Sequence, residues 1–189
     1  MPTAVALGLV GLACVWFRWE VSLFLNVDLT FGSLFVFLSF LFCGTWPGLA
    51  TAVIVYAGKV AVYHHPWTFA LFLGEALVIA AGGRTRVRHL ATLVTAYWLL
   101  VGAPLGWSLY HFAMGVPPQS ALVVMSKNLL NEVLNALLAT MVFLGAMDFR
   151  RRPDERPSFR LLVFTPAPGR VARPLPPAHH HRRPGDAAR

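Results

Sequence analysis

Four acidic or basic residues, Lys59, Glu75, Lys127 and Glu132, stand in otherwise apolar sequence, and they are the groups most able to do chemistry in this chain. Around the last two the polar side chains are regular. Wound as a helix at 100° per residue, Lys127, Asn128, Asn131, Glu132 and Asn135 fall within about 140° of arc. Leu130, Val133 and Leu137 take the opposite side. A lysine, a glutamate and three carboxamides on one face supply a cation, an anion and a set of donors and acceptors, which is binding chemistry. The face reads as one wall of a ligand or ion cavity, with Lys59 and Glu75 contributed by neighbouring helices. The competing reading is a structural network of interhelical hydrogen bonds. Two cations and two anions allow pairing, and depth along the chain matches Lys59 with Glu75 and Lys127 with Glu132.

No catalytic constellation accompanies these residues. The sequence has no HExxH, no GxSxG and no glycine-rich phosphate loop before a basic residue. The chain is therefore expected not to be an enzyme and to need no cofactor. No metal site is expected either; the nearest thing to one is His64 and His65 with His111, which could join Glu20 or Asp28 in a metal or pH-sensing group. Cys14 and Cys43 both lie in apolar runs and read as packing residues.

The elements that hold these residues follow from composition. Hydrophobic residues make up 57% of the 189, and charged residues only 13%, against roughly 25% in a water-soluble domain. So few charges cannot clothe a fold in water, so lipid is the expected solvent. A bilayer core takes roughly 20 apolar residues as a helix. Candidate spans run over Val5–Trp16, Leu29–Phe42, Pro47–Tyr63, Trp67–Ala81, Leu90–Tyr110 and Ala121–Met147. The second is short, and it needs a tight turn within Cys43-Gly44-Thr45-Trp46-Pro47-Gly48. Pro104 is expected to kink the fifth, where Gly102 and Gly106 form a GxxxG spacing that permits close helix approach. The fold class is therefore all-α: a polytopic transmembrane bundle of about six helices over residues 1–147.

Orientation comes from the basic residues. Arg84, Arg86 and Arg88 follow the fourth span, and Arg150, Arg151 and Arg152 follow the last, so both clusters and both termini are expected in the cytoplasm. Trp16, Trp19, Trp67, Trp107 and Tyr110 then fall at the outer interface, the depth that amphipathic rings favour. Of the net charge of +8, +6 belongs to residues 148–189, where ten Arg face Asp148, Asp154, Glu155 and Asp186. The charge is thus a property of the tail, and nucleic acid is not an expected partner; the lipid bilayer is. The tail also holds eight of the fourteen prolines and too few apolar groups to offset its ordering entropy, so residues 148–189 read as a disordered, basic cytoplasmic tail.

Three stretches carry a resemblance. Phe31-Gly32-Ser33-Leu34-Phe35-Val36 leads to Gly44 and Gly48. Tyr97-Trp98-Leu99-Leu100 precedes Gly102-Ala103-Pro104-Leu105. Lys127-Asn128 is followed by Asn131 and Asn135-Ala136-Leu137-Leu138. Together they resemble the N-terminal multi-helix membrane sensor region of bacterial sensor histidine kinases and diguanylate cyclases, over about residues 15 to 147. The resemblance implies a sensory input role in signal transduction, in the bacterial inner membrane, partnered by a signalling output protein or a second copy of the chain. It supplies no catalytic residue. The pattern departs after Met147, where nothing reads as an output domain. The Arg/Pro/Ala/Gly/His composition there is that of out-of-frame translation of a GC-rich gene, so the chain is expected to be a truncated sensor. The alternative is a small-molecule transport component, such as the substrate-binding subunit of a vitamin-type importer, which also packs about six helices around a polar cavity.

Overall fold

A computed structural model of the chain describes residues 2–22, 28–82 and 86–150. The tail expected over residues 148–189 lies outside them from residue 151 onward; its first three residues, 148–150, are helical.

The chain is nearly all helical. Helix α1 (Pro2–Trp16) leads to a short hairpin, β1 (Glu20–Ser22) and β2 (Asp28–Thr30), and then come α2 (Gly32–Cys43), α3 (Thr45–Tyr63) and α4 (Pro66–Ala81). Helix α5 is assembled from α-helical Arg86–Tyr97, π-helical Trp98–Gly102, α-helical Ala103–Ser108 and π-helical Leu109–Ala113. Helix α6 (Pro118–Arg150) is unbroken over 33 residues. Thr45–Tyr63, His89–Ala113 and Pro118–Phe149 are long and apolar enough to cross a membrane, whereas Pro2–Trp16, Gly32–Cys43 and Pro66–Ala81 are apolar but shorter.

Local chemistry sets the boundaries. The turn between α2 and α3 narrows to one residue, Gly44, at φ 99° and ψ −170°, a region that is essentially glycine-only. Pro66 opens α4 from its first turn, where a missing N–H costs nothing. In α5 the expected kink at Pro104 is taken up by π turns on either side of it. A proline removes one N–H from the ladder, and a π turn is a common way to absorb such a fault. Of the GxxxG pair, Gly106 meets Met125 of α6, while Gly102 lies against Tyr97 and Trp98 of its own helix. Only one of the two glycines therefore serves helix–helix approach.

The hairpin corrects the expected second span. Leu29 belongs to β2, where Val21 pairs with Leu29 and Glu20 with Thr30, and the helix starts only at Gly32. The physical reason lies across the molecule. The Thr30 N–H donates to Asn131 Oδ1 at 2.7 Å, and the Thr30 carbonyl accepts from Asn135 Nδ2 at 2.8 Å. The backbone groups that would have opened one more helical turn are claimed by α6.

Helix α1 packs against α2 and α3, α2 also against α6, α3 against α4, and α5 against α6 and α4. The core between them contains Phe37 and Phe40 of α2, Val55 and Tyr56 of α3, Phe72 and Ile79 of α4, and Trp98 of α5, and α6 enters it through Ala136 and Ala139. The outer faces are apolar too. On α6, Leu122, Val123, Leu130, Leu137, Met141 and Val142 are exposed, while Asn131, Glu132 and Asn135 are buried. That is the reverse of a helix lying on a core in water.

Candidate functional site: a polar cavity walled by α6

Three helices bring polar groups together. Gly32 and Ser33 open α2 beside the hairpin, so Ser33 faces inward at the level of Thr30. Lys59 stands on the buried side of α3, one turn before its end. Asn131, Glu132 and Asn135 come from the buried side of α6.

Ser33, Lys59 and Asn131 meet on one oxygen of Glu132. Glu132 Oε1 accepts hydrogen bonds from Ser33 Oγ at 2.8 Å and from Asn131 Nδ2 at 2.9 Å. The ammonium of Lys59 lies 3.6 Å from the same oxygen and donates to Ser33 Oγ at 3.2 Å. It also sits 3.7 Å from the centroid of the Phe72 ring, a cation–π contact between two buried side chains. This pairing replaces both expected ones. Lys59 pairs with Glu132, because the rotation of α3 and α6 about their axes turns the two toward each other; depth along the chain carries no record of that rotation. Glu75 lies apart from the pair and accepts from Trp98 Nε1 at 2.9 Å. Its second oxygen, that of Glu132, Asn135 Oδ1 and the Tyr56 hydroxyl are buried with no hydrogen-bond partner among the described residues.

A cavity of about 350 Å³ lies against this network, within the range of small-molecule sites. Helix α6 walls it with Val124, Lys127, Asn128 and Asn131, and α3 with Lys59 and Tyr63. His65, Thr68 and Phe72 come from the start of α4, Tyr110 from the second π turn of α5, and Thr30 and Arg18 from the hairpin and the end of α1. Of the residues singled out in the sequence, Lys59, Lys127, Asn128 and Asn131 line this cavity. Glu132 and Asn135 form the polar layer of α6 beside it, and Glu75 stands with Trp98.

The histidines do different things. His65 lines the cavity, and His64 caps α3 in a left-handed conformation. His111 stacks on Trp107 and places Nδ1 3.0 Å from the Val116 carbonyl. Among the described residues no three His, Cys, Asp or Glu are grouped to hold a metal. Cys14 and Cys43 are free thiols.

Sequence reasoning missed Thr30, Ser33, Arg18 and Trp98. Ser33 had a usable signal, a lone hydroxyl at the head of a Phe/Leu run. Arg18 had another, the first charge after an apolar helix. Thr30 had none, because its role is carried by its backbone as much as by its side chain.

A scan of protein-family models finds no match to this chain, and searches of curated proteins and of solved structures find none either.

Proposed function

We propose that the chain is a membrane-embedded sensory input domain, in which a small ligand enters the cavity from the extracytoplasmic side and α6 carries the consequence to the cytoplasmic side. Lipid as the solvent is supported by the reversed polarity of α6 and by the three helices long enough to cross a bilayer. The arginine clusters after α4 and α6 support an orientation in which the mouth of the cavity, at Arg18 and His65, faces outside.

One observation carries the sensory reading. Lys127, Asn128 and Asn131 wall the cavity, and they belong to an unbroken helix that runs on to Arg150. At 1.5 Å per residue the 33 residues of α6 span about 50 Å, against about 30 Å of hydrocarbon core. A ligand that moves the cavity end of a stiff rod moves its far end as well. The resemblance to sensor regions of histidine kinases and diguanylate cyclases points the same way. The transport alternative is favoured by a different observation, that the hairpin, four of the six helices and Arg18 beyond the end of α1 all contribute to the cavity, as a carrier site would require.

The test is direct. With Cys14 and Cys43 replaced by Ala, a fluorophore on Phe149→Cys reports the exposed far end of α6. Compounds that raise the melting temperature of the full chain in nanodiscs are expected to change the label's emission, and Glu132→Leu is expected to remove that response while leaving membrane insertion intact. A bound compound that leaves the label silent, yet accumulates in cells expressing the chain, overturns the sensory reading in favour of transport.

A further inference from the structure

We infer that the cavity takes a small organic anion, a carboxylate or phosphate group on an apolar body, with Arg18 meeting the negative charge at the mouth. The signalling consequence of binding rests on the sensory reading above; the ligand class does not.

The charges around the cavity set its preference. Among the described residues that line it, Arg18, Lys59 and Lys127 are cationic and none is a carboxylate. Lys59 is already committed to Glu132 on its buried side. Arg18 is exposed, and among the described residues it makes no ion pair; its guanidinium lies 5.5 Å from the centroid of the Tyr63 ring. A planar guanidinium held over an aromatic face keeps its donors in a fixed fork, the geometry that suits carboxylate and phosphate oxygens. Thr68, Asn128 and Tyr110 are further polar residues on the wall, and Phe72 is its buried aromatic one. The charged group of a ligand therefore belongs at the mouth and its apolar body toward Phe72.

The backbone gives an independent sign. Arg18 has φ 49°, one of two non-glycine residues in the left-handed region among those described. It stands two residues past the end of α1, with its N–H on the Val15 carbonyl and that of Trp19 on the Cys14 carbonyl, at a position where glycine is the usual occupant and an ordinary side chain is strained. A strained position that keeps an arginine at a cavity mouth points to work done by the side chain. The other such residue is His64, next to the cavity-lining His65.

The experiment uses the full chain in phosphatidylcholine nanodiscs, with binding read as a rise in melting temperature. The free probes are benzoate and phenyl phosphate, the neutral controls benzamide and benzyl alcohol, and a lipid source is tested by exchanging part of the phosphatidylcholine for phosphatidylglycerol. The anions are expected to bind and the neutral controls not, with affinity falling as salt screens the mouth. Arg18→Gln is expected to weaken the anions about fivefold, and Arg18→Lys to retain more of the binding, since the exposed charge survives but its fork is lost. Arg18→Gly guards against a folding artefact, because it is expected to raise the stability of the empty protein while losing the anion. A response to phosphatidylglycerol alone assigns the anion to a lipid headgroup, and a response to benzoate or phenyl phosphate assigns it to a solute. Equal binding of the neutral controls, no binding of any anion, or anion binding untouched by Arg18→Gln overturns the proposal. Anions that bind while the label at Phe149 stays silent refute the sensory reading and leave the ligand class standing. A label that answers only neutral compounds does the reverse.

Discussion

Lys59 and Glu132 form an ion pair in which both members are almost completely buried. Removing one partner of such a pair leaves the other charge uncompensated and costs about 3–5 kcal/mol. Glu132→Leu strands the Lys59 ammonium, which keeps Ser33 Oγ and the rings of Phe72 and Tyr56. Lys59→Met strands the Glu132 carboxylate, which keeps the hydrogen bonds from Ser33 and Asn131, so its cost belongs at the lower end of that range. The double variant Lys59→Met/Glu132→Leu removes both charges. What it leaves is a Ser33 hydroxyl without its carboxylate acceptor, a deficit of about 1–3 kcal/mol; Asn131 Nδ2 retains the Thr30 hydroxyl at 3.2 Å. The two single losses therefore sum to about 6–8 kcal/mol, and the double loss stays near 1–3, a coupling of at least about 3 kcal/mol. Reversible unfolding of all four proteins in mixed micelles closes the cycle. Losses that add to within about 0.5 kcal/mol would show that the two groups are energetically independent, and the buried network would then have no claim to organise the cavity.

Further expectations follow from single features. Asn131→Ala removes the acceptor of the Thr30 N–H; hydrogen exchange at that amide is expected to accelerate with a loss of about 1–3 kcal/mol, and unchanged protection would mean that the hairpin is held elsewhere. Gly44→Ala is expected to destabilise by about 1–3 kcal/mol although no atom lies within 4 Å of the added Cβ, since the cost is in the backbone; thermal melts read it directly. Gly106→Val is expected to push α5 from α6 at Met125 and lower the melting temperature. Gly145→Ala, in open space on an exposed helical face, is expected to stabilise by up to about 1 kcal/mol.

The helical segments were legible because apolar run length is a direct record of helix length. The reading over Pro47–Tyr63 meets α3 at Thr45–Tyr63, and that over Trp67–Ala81 meets α4 at Pro66–Ala81. The polar face of α6 was legible for a related reason: five polar residues on one side of an apolar helix have few places to go but inward. What escaped were the features that depend on a partner. Leu29 is as apolar as the run that follows it, so nothing in its own neighbourhood distinguishes a strand from a helix, and the decision is made by two asparagines about a hundred residues later. The π turns of α5 escaped because Trp98–Gly102 presents apolar groups to every side, so a slipped phase leaves no trace in the pattern. Lys127 and Lys59 both appeared as embedded cations, yet which of them reaches Glu132 is fixed by interhelical rotation alone.

Those π turns bear on how the cavity changes over evolutionary time. A π turn closes on the fifth residue where an α turn closes on the fourth, so it stores one residue that ordinary winding would have spent. Tyr110 stands beyond the turn at Trp98–Gly102, and it is the side chain that α5 contributes to the cavity. Losing that stored residue would restore ordinary winding and leave the helix beyond it in its phase, so Tyr110 would keep its place in the wall. A deletion from the α-helical stretch Ala103–Ser108 would instead swing Tyr110 through about 100° and bring a neighbour into its place. The same helix thus holds a position where the chain can lose a residue with the cavity unchanged, a few residues from one where the same loss would remake it.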